Sequence, residues 1–304
     1  MRSATLRQLR TFSEVARLQS YTAAAKALHL TQPAVSMQLR LLEQAAGLPL
    51  FEQIGRRVQP TVAGRELLRY AAGISTLLRE AEDAMKALQG AGGGELSLAV
   101  TSTAKYFAPQ LLAEFRRSHP EARLRLVVSN REAVVRELTE STVDLAVMGR
   151  PPRGIETEAA PFASHPIGII ASPSHPLAGR KRVPLERLAG ETFIIRERGS
   201  GTRAAMEHVF AERGFRARDT LEMSSNETIK QAVMAGMGVA FLSTHTIGLE
   251  LRAGRLVLLA VSGLPVMRQW FVIHRRSKRL TPVAQAFKSF LLRHGAELIA
   301  RTVG

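Results

Sequence analysis

The chain has 304 residues, 45% of them hydrophobic and none of them cysteine, so it can bury two or three cores but holds no disulfide or thiolate-bound metal. Its formal net charge of +16 favours polyanionic partners: nucleic acid, an anionic membrane or phosphorylated metabolites. No stretch approaches the roughly 20 apolar residues of a membrane span, and Arg interspersed with Leu between Met1 and Phe12 lacks the apolar run of an export signal, so a cytoplasmic protein without a membrane partner is expected.

Leu6, Leu9, Phe12, Val15 and Ala16 recur at helical spacing and predict a first helix, Leu6–Leu18. Ser20 is placed to cap a second, 21–28, whose run of alanines permits close approach. Thr31 caps a third, opened by Gln32 and Pro33, striped by Val35, Leu39, Leu42 and Ala46, and stopped by Gly47. Two helices joined by a short turn follow the helix-turn-helix plan, although a plain helical hairpin has the same pattern. Residues 48–61 read as a hairpin or wing, with Gly55, Arg56 and Arg57 at its tip.

From Val62 to Gln89, Leu67, Ala71, Ile74, Leu78, Ala81, Met85 and Leu88 keep an unbroken 4-3 spacing. That is a coiled-coil seam, suited to pairing two copies of the chain; packing on its own domain is the alternative. Gly90, Gly92, Gly93 and Gly94 follow as a hinge.

Beyond Glu95 the pattern alternates strand and helix. Strands are expected at 95–100, 124–129 and 144–148, with helices at 107–118 and 131–140. A second set has strands at 167–171, 192–196, 220–224 and 239–243, with helices at 202–213 and 227–235. A strand at 269–274 and a helix at 282–299 close the chain. Two α/β lobes with a cleft at the carboxyl ends of their strands are expected.

The run Tyr21–Arg40, YTAAAKALHLTQPAVSMQLR, resembles the helix-turn-helix signature of the LysR-type transcriptional regulators, and LLEQAAGLPLFEQIGRRVQPTVAG resembles their third helix, wing and linker start. The resemblance implies an α/β protein with an all-α N-terminal part: a winged helix-turn-helix over 4–61, a linker and dimerisation helix over 62–90, and an effector domain over 95–304 that resembles periplasmic binding proteins. Lobe 1 would take about 95–162 and 268–304, and lobe 2 about 163–267. TSTAKYFAPQLLAEF at Thr101–Phe115 and GRPPR at Gly149–Arg153 resemble the CbbR-type subfamily, which controls Calvin-cycle operons. Implied partners are double-stranded DNA at an imperfect palindrome, a second copy of the chain, a tetramer of two dimers, and RNA polymerase. The rival within the family is a regulator of another metabolic operon.

The first turn of the third helix should enter the major groove. Gln32 can offer its amide to adenine, Pro33 an apolar contact, and Ser36 a hydroxyl; the family's base-contacting positions match these three. The next position is often Arg or Lys in relatives but is Met37 here. Gln38 and Arg40 lie further along, Arg40 with Glu43 as a helical neighbour. Ser20, Thr22 and Thr31 can donate to phosphates at helix N-termini, and Arg56 and Arg57 can reach backbone from the wing.

Effector contacts are expected at Thr101, Ser102 and Thr103 after the first strand of the α/β region, and at Ser200 and Thr202 in the matching turn of the second lobe. The resemblance adds Asn130, Met148, Gly149 and Arg150, with Lys105, Arg131 and Arg203 near in sequence. These cations point to a small anionic effector, a phosphorylated metabolite or an NADPH-like nucleotide, and no cofactor. The eight histidines form no H-x-x-x-H pair, so no metal site is expected. A solute-binding protein would explain the α/β half but not the first ninety residues. An enzyme is disfavoured: G-x-S-x-G, a P-loop and H-E-x-x-H are all missing.

Overall fold

The computed structural model describes residues 1, 3–55, 57–88 and 94–303. The chain divides into two compact units, Met1–Glu82 with Glu140–Thr142, and Asp83–Thr139 with Val143–Gly304.

In the first unit, α1 (Leu6–Leu18) starts with a capping box in which Thr5 and Gln8 each bond the other's backbone N–H. α2 (Tyr21–Ala27) and α3 (Gln32–Ala46) follow, capped by the Ser20 and Thr31 hydroxyls. Phe12, Val15, Ala24, Val35 and Leu42 are sealed between these helices, which the predicted apolar stripes require. Gly47, at φ +73°, ends α3 in the left-handed region. The Glu43 carboxylate accepts the backbone N–H of Leu50 at 2.8 Å and of Phe51 at 3.3 Å. It thereby ties α3 to the wing, β1 (Phe51–Ile54) paired antiparallel with β2 (Arg57–Pro60), and among the described residues it forms no ion pair with Arg40.

α4 (Val62–Leu88) splits the predicted seam. Ala71 is buried, and Leu67 and Ile74 pack against the helix-turn-helix core, while Leu78 and Met85 are 41% and 55% exposed. Packing on the chain's own domain therefore accounts for the first part of the seam, and the part around Leu78 and Met85 is left exposed. Arg56 and Gln89–Gly93 lie outside the described residues, as does the side chain of Leu88.

The second unit runs β3 (Glu95–Thr101), α5 (Ala108–Ser118), β4 (Arg123–Ser129), α6 (Arg131–Thr139), β5 (Leu145–Met148), β6 (Thr157–Ala171), β7 (Thr192–Arg196), α7 (Gly201–Glu212), β8 (Asp219–Met223), α8 (Asn226–Met234), β9 (Val239–Ser243), α9 (Gly248–Arg252), β10 (Val257–Leu258), β11 (Val266–Arg275) and α10 (Pro282–Val303). Among the described residues the strands form one sheet in the order β4-β3-β5-β11-β6-β9-β7-β8, with β10 beside β6. Its two ends are parallel: β3 pairs with β4 and β5, and β7 with β8 and β9. Helices cover both faces, so alternate residues of one strand feed different cores. Phe193 and Ile195 enter one and Ile194 the other. This is why the strands read as nearly continuous apolar runs.

The antiparallel pair β6 and β11 joins the two ends, and both strands are longer than the sequence pattern predicts: β6 extends ahead of 167–171, and β11 adds Val266–Arg268 and Arg275 to 269–274. Pro161 and Pro166 argue against a strand, since proline cannot donate to a ladder. The pairing nevertheless continues across both, with a register shift at Trp270/Phe271 that fits one extra residue, Phe162, into the core around Trp270 and Phe287. α9 and β10 are too short to be legible as periodic patterns.

Candidate DNA-reading face and effector cavity

Gln32, Pro33, Met37 and Arg40 stand exposed on α3, and Ser36 is half-buried among them. Gln32 Nε2 donates to Ser36 Oγ at 2.9 Å, so the two side chains form one polar unit on the first turn. Pro33 leaves the helix entrance without an orphaned donor there. Met37 is 61% exposed, an apolar surface on a polar face. The Ser20 and Thr31 hydroxyls accept from Ala23 and Ala34 N–H at 3.2 and 3.4 Å and so act as caps, while Thr22 is exposed on the first turn of α2. Gln38 turns away: its Oε1 accepts from the buried Thr11 hydroxyl at 2.5 Å, which locks α3 to α1. Arg56 and the Arg57 side chain lie outside the described residues.

In the second unit a cavity of about 240 Å³ opens at the carboxyl ends of β3, β5 and β7. Thr101, Ser102 and Thr103 approach it from β3, Gly149 and Arg150 from β5, Ser200 and Thr202 from the start of α7, and Arg131 from α6. The two predicted turns do meet: Thr103 Oγ1 and Thr202 Oγ1 are 3.4 Å apart. Ser102 Oγ is held by Arg196, a buried guanidinium that donates to it at 3.1 Å and also bonds Asn226 and Glu197. Glu132 N–H donates to Gly199 C=O at 3.2 Å. A Cβ on Gly199 would come within 2.6 Å of the Glu132 carboxylate, and its φ of +84° is strained for other residues, so this approach requires glycine.

Four expected contacts do not line the cavity. Lys105 lies over the Tyr106 ring beside Glu227. Asn130 Oδ1 caps α6 through Ala133 N–H at 3.0 Å. Met148 is buried behind Arg131, whose Nη1 contacts its Sδ at 3.2 Å. Arg203 is taken up by Glu207, Glu222 and the Arg196 carbonyl. Proximity in sequence to a strand end placed these residues near the site but not their side chains in it.

Arg153, His165, His208, Arg268 and Trp270 line the cavity without having been expected there. With Arg131 and Arg150 they give it, among the described residues, four arginines and two histidines and no carboxylate. Arg131 is anchored to the Arg150 and Pro151 carbonyls. Among the described residues the guanidiniums of Arg150, Arg153 and Arg268 make no hydrogen bond or ion pair. Burial, then the charges of Arg150 and Arg268, hold the Arg131 guanidinium below the usual arginine range, and burial with Arg150 does the same to Arg268. Among the described residues no cluster of three or more His, Asp or Glu side chains could hold a metal, and no helix is long and apolar enough to cross a membrane.

Two family patterns match the chain: the bacterial regulatory helix-turn-helix protein, lysR family, over residues 6–65, and the LysR substrate binding domain over 89–296. The RuBisCO operon transcriptional regulator of Allochromatium vinosum is 51% identical over 98% of each chain. The regulatory domain of Synechocystis PCC6803 CcmR, solved in complex with 2-PG, is 39% identical with a TM-score of 0.64, covering 66% of this chain and 96% of its own. Full-length CbnR, solved with its target DNA, is 26% identical with a TM-score of 0.70 over 95% of this chain and 99% of its own.

Proposed function

The chain belongs to the LysR family of transcriptional regulators, and from that premise we propose that it activates carbon-fixation genes in response to a small phosphorylated acid. The observation that carries the effector half is the charge of the cavity: arginines and histidines with no carboxylate among them. Guanidiniums that repel one another in the free protein are natural partners for phosphate and carboxylate, which they grip bidentately. The 2-PG held by the CcmR domain, taken as 2-phosphoglycolate, has this chemistry. A volume of about 240 Å³ lies below the roughly 300–1,000 Å³ of clefts for drug-sized ligands, which favours such an acid over a nicotinamide nucleotide. The operon half rests on the RuBisCO-operon relative and on the CbbR-type motifs, in preference to another metabolic operon.

DNA binding uses the exposed turn of α3. Gln32 addresses a base edge, Pro33 and Met37 supply apolar contact, and Arg40 with the wing residues Arg56 and Arg57 supplies phosphate contacts. The exposed part of the α4 seam pairs two chains, and two dimers make a tetramer that reads an imperfect palindrome in the cytoplasm. Effector binding shifts the population of lobe arrangements, and with it DNA bending and access to RNA polymerase.

Footprinting of the DNA upstream of the gene itself and of RuBisCO genes tests this reading. The expectation is a protected imperfect palindrome, binding that weakens steeply between about 50 and 200 mM salt, and a footprint or bend angle that changes with 2-phosphoglycolate. No protection at low salt would overturn the DNA-binding reading. An effector that leaves footprint and bend unaltered would overturn the switch.

A further inference from the structure

His165 sits where the cavity meets the core. It is 5% exposed, and among the described residues neither ring nitrogen has a hydrogen-bond partner. Leaving buried polar atoms unpaired costs about 1–3 kcal/mol each, so a native protein keeps them for a reason. One face of the imidazole stacks on Trp270, with ring centroids 3.9 Å apart and planes 16° from parallel. Arg268 stands directly opposite His165 in the β6–β11 register, where paired residues share a face of the sheet. Gly149 leaves room for the ring: a Cβ there would lie 2.8 Å from its Nδ1.

We propose that His165 is an effector-binding residue that takes up a proton as the anion enters, so that the ligand is bound by an imidazolium together with the arginines. The inference rests on the anionic-effector reading above. The charges facing this ring are Arg131 on α6, Arg150 and Arg153 after β5, His208 on α7, Arg268 on β11, and His245 in the turn after β9. All are cationic or neutral, and the carboxylate next to them, Glu212, lies outside the cavity lining, 3.4 Å from His208 Nε2. Burial first, then His245 and Arg268, hold His165 well below the usual histidine range, so it is neutral in the free protein near pH 7. An anion in the cavity reverses this by favouring the charged form. His245 is not poised to do the same: burial pushes it down to about 4, and its Nδ1 accepts from Trp270 Nε1 at 3.0 Å.

The linkage has a definite sign. A group whose proton affinity rises on binding makes the ligand bind tighter as pH falls through the bound-state pKa, and the gain levels off below the free-state pKa. Each unit of difference corresponds to about tenfold in affinity.

The chain contains a single tryptophan, Trp270, and protonation of an imidazole stacked on an indole quenches its fluorescence. The test is a pH titration of Trp270 emission in the full-length protein, alone, with 2-phosphoglycolate, and with sulfate, whose own charge is constant between pH 5 and 8. Calorimetry at fixed pH records binding in parallel. The expected result is that both anions raise the quenching midpoint by at least one unit in the wild type and in H245Q, and that sulfate tightens about tenfold per unit. The ligand-dependent shift should vanish in H165Q. Measurable binding with an unmoved midpoint, or a shift that survives in H165Q, would overturn the role of His165 and leave the anion site standing. The wild-type measurement decides this even if H165Q fails to fold. No heat and no shift with either anion would overturn both.

Discussion

The α3 face and the effector cavity hold their functional groups in opposite ways. On α3, Gln32, Pro33, Met37 and Arg40 project from one short segment into solvent, and none of them belongs to the buried core. In the cavity, the groups come from β3, β5, β6, β11, α6 and α7, and several belong to the core as much as to the site. Trp270 is fully buried, packs edge-on to Phe107 at 5.1 Å, and still lines the cavity. A reading face of the first kind can change specificity without touching stability. A cavity of the second kind ties what it binds to how it folds.

The largest expected effect follows from that entanglement. Trp270→Ala should cost about 3–5 kcal/mol of stability, the range for removing a large buried aromatic, together with effector binding. Urea unfolding followed by circular dichroism, with calorimetry on the folded fraction, would measure both. A stable variant that merely lost ligand would break the contrast. Arg268→Met sharpens it from the other side. Its guanidinium is held below the usual range by burial and by Arg150, so it strains the free protein. Removing it should weaken binding of 2-phosphoglycolate by about 1.5–3 kcal/mol while leaving the melting temperature unchanged or slightly raised. A clear fall in melting temperature would mean that Arg268 is a structural residue.

The same contrast explains what was legible in the sequence. The helix-turn-helix is local: caps at Ser20 and Thr31, the stripe Val35–Leu39–Leu42 and Gly47 all fall within about thirty residues, and each is a near-neighbour rule. The first-strand turn of the cavity was legible for the same reason, as a strand that runs into hydroxyls and then a helix. His165 and Arg268 were not. They face each other across two strands whose pairing is separated by about a hundred residues, and Pro166 disguises one of those strands. Lys105 and Arg203 show the converse error, since cations near a strand end found carboxylates of their own in Glu227, Glu207 and Glu222. What escaped was register, a tertiary property that no local pattern encodes.

On the α3 face the effects are smaller and should leave the fold alone. Gln32→Ala is expected to cost about 1–3 kcal/mol of discrimination at one base position. Gel shifts against a palindrome varied at that position would read it, and the melting temperature should not move, because among the described residues the side-chain hydrogen bond lost is that to Ser36.

Thr31 is the one place on this face where the contrast could fail, because its hydroxyl already caps α3 through Ala34 N–H. If the hydroxyl also serves a phosphate, structure and function overlap here as they do in the cavity. Thr31→Asp separates the two. Aspartate is at least as good an N-cap as threonine, so stability should stay within about 0.5 kcal/mol. A carboxylate beside a phosphate should instead weaken DNA binding by on the order of 1 kcal/mol, the Coulomb energy of like charges a few ångströms apart in water. High salt should erase most of that loss, since an exposed pair is screened over about a Debye length. Unchanged DNA affinity at low salt would assign Thr31 to capping alone, and the division between a free reading face and an entangled cavity would then hold at every residue of α3 tested.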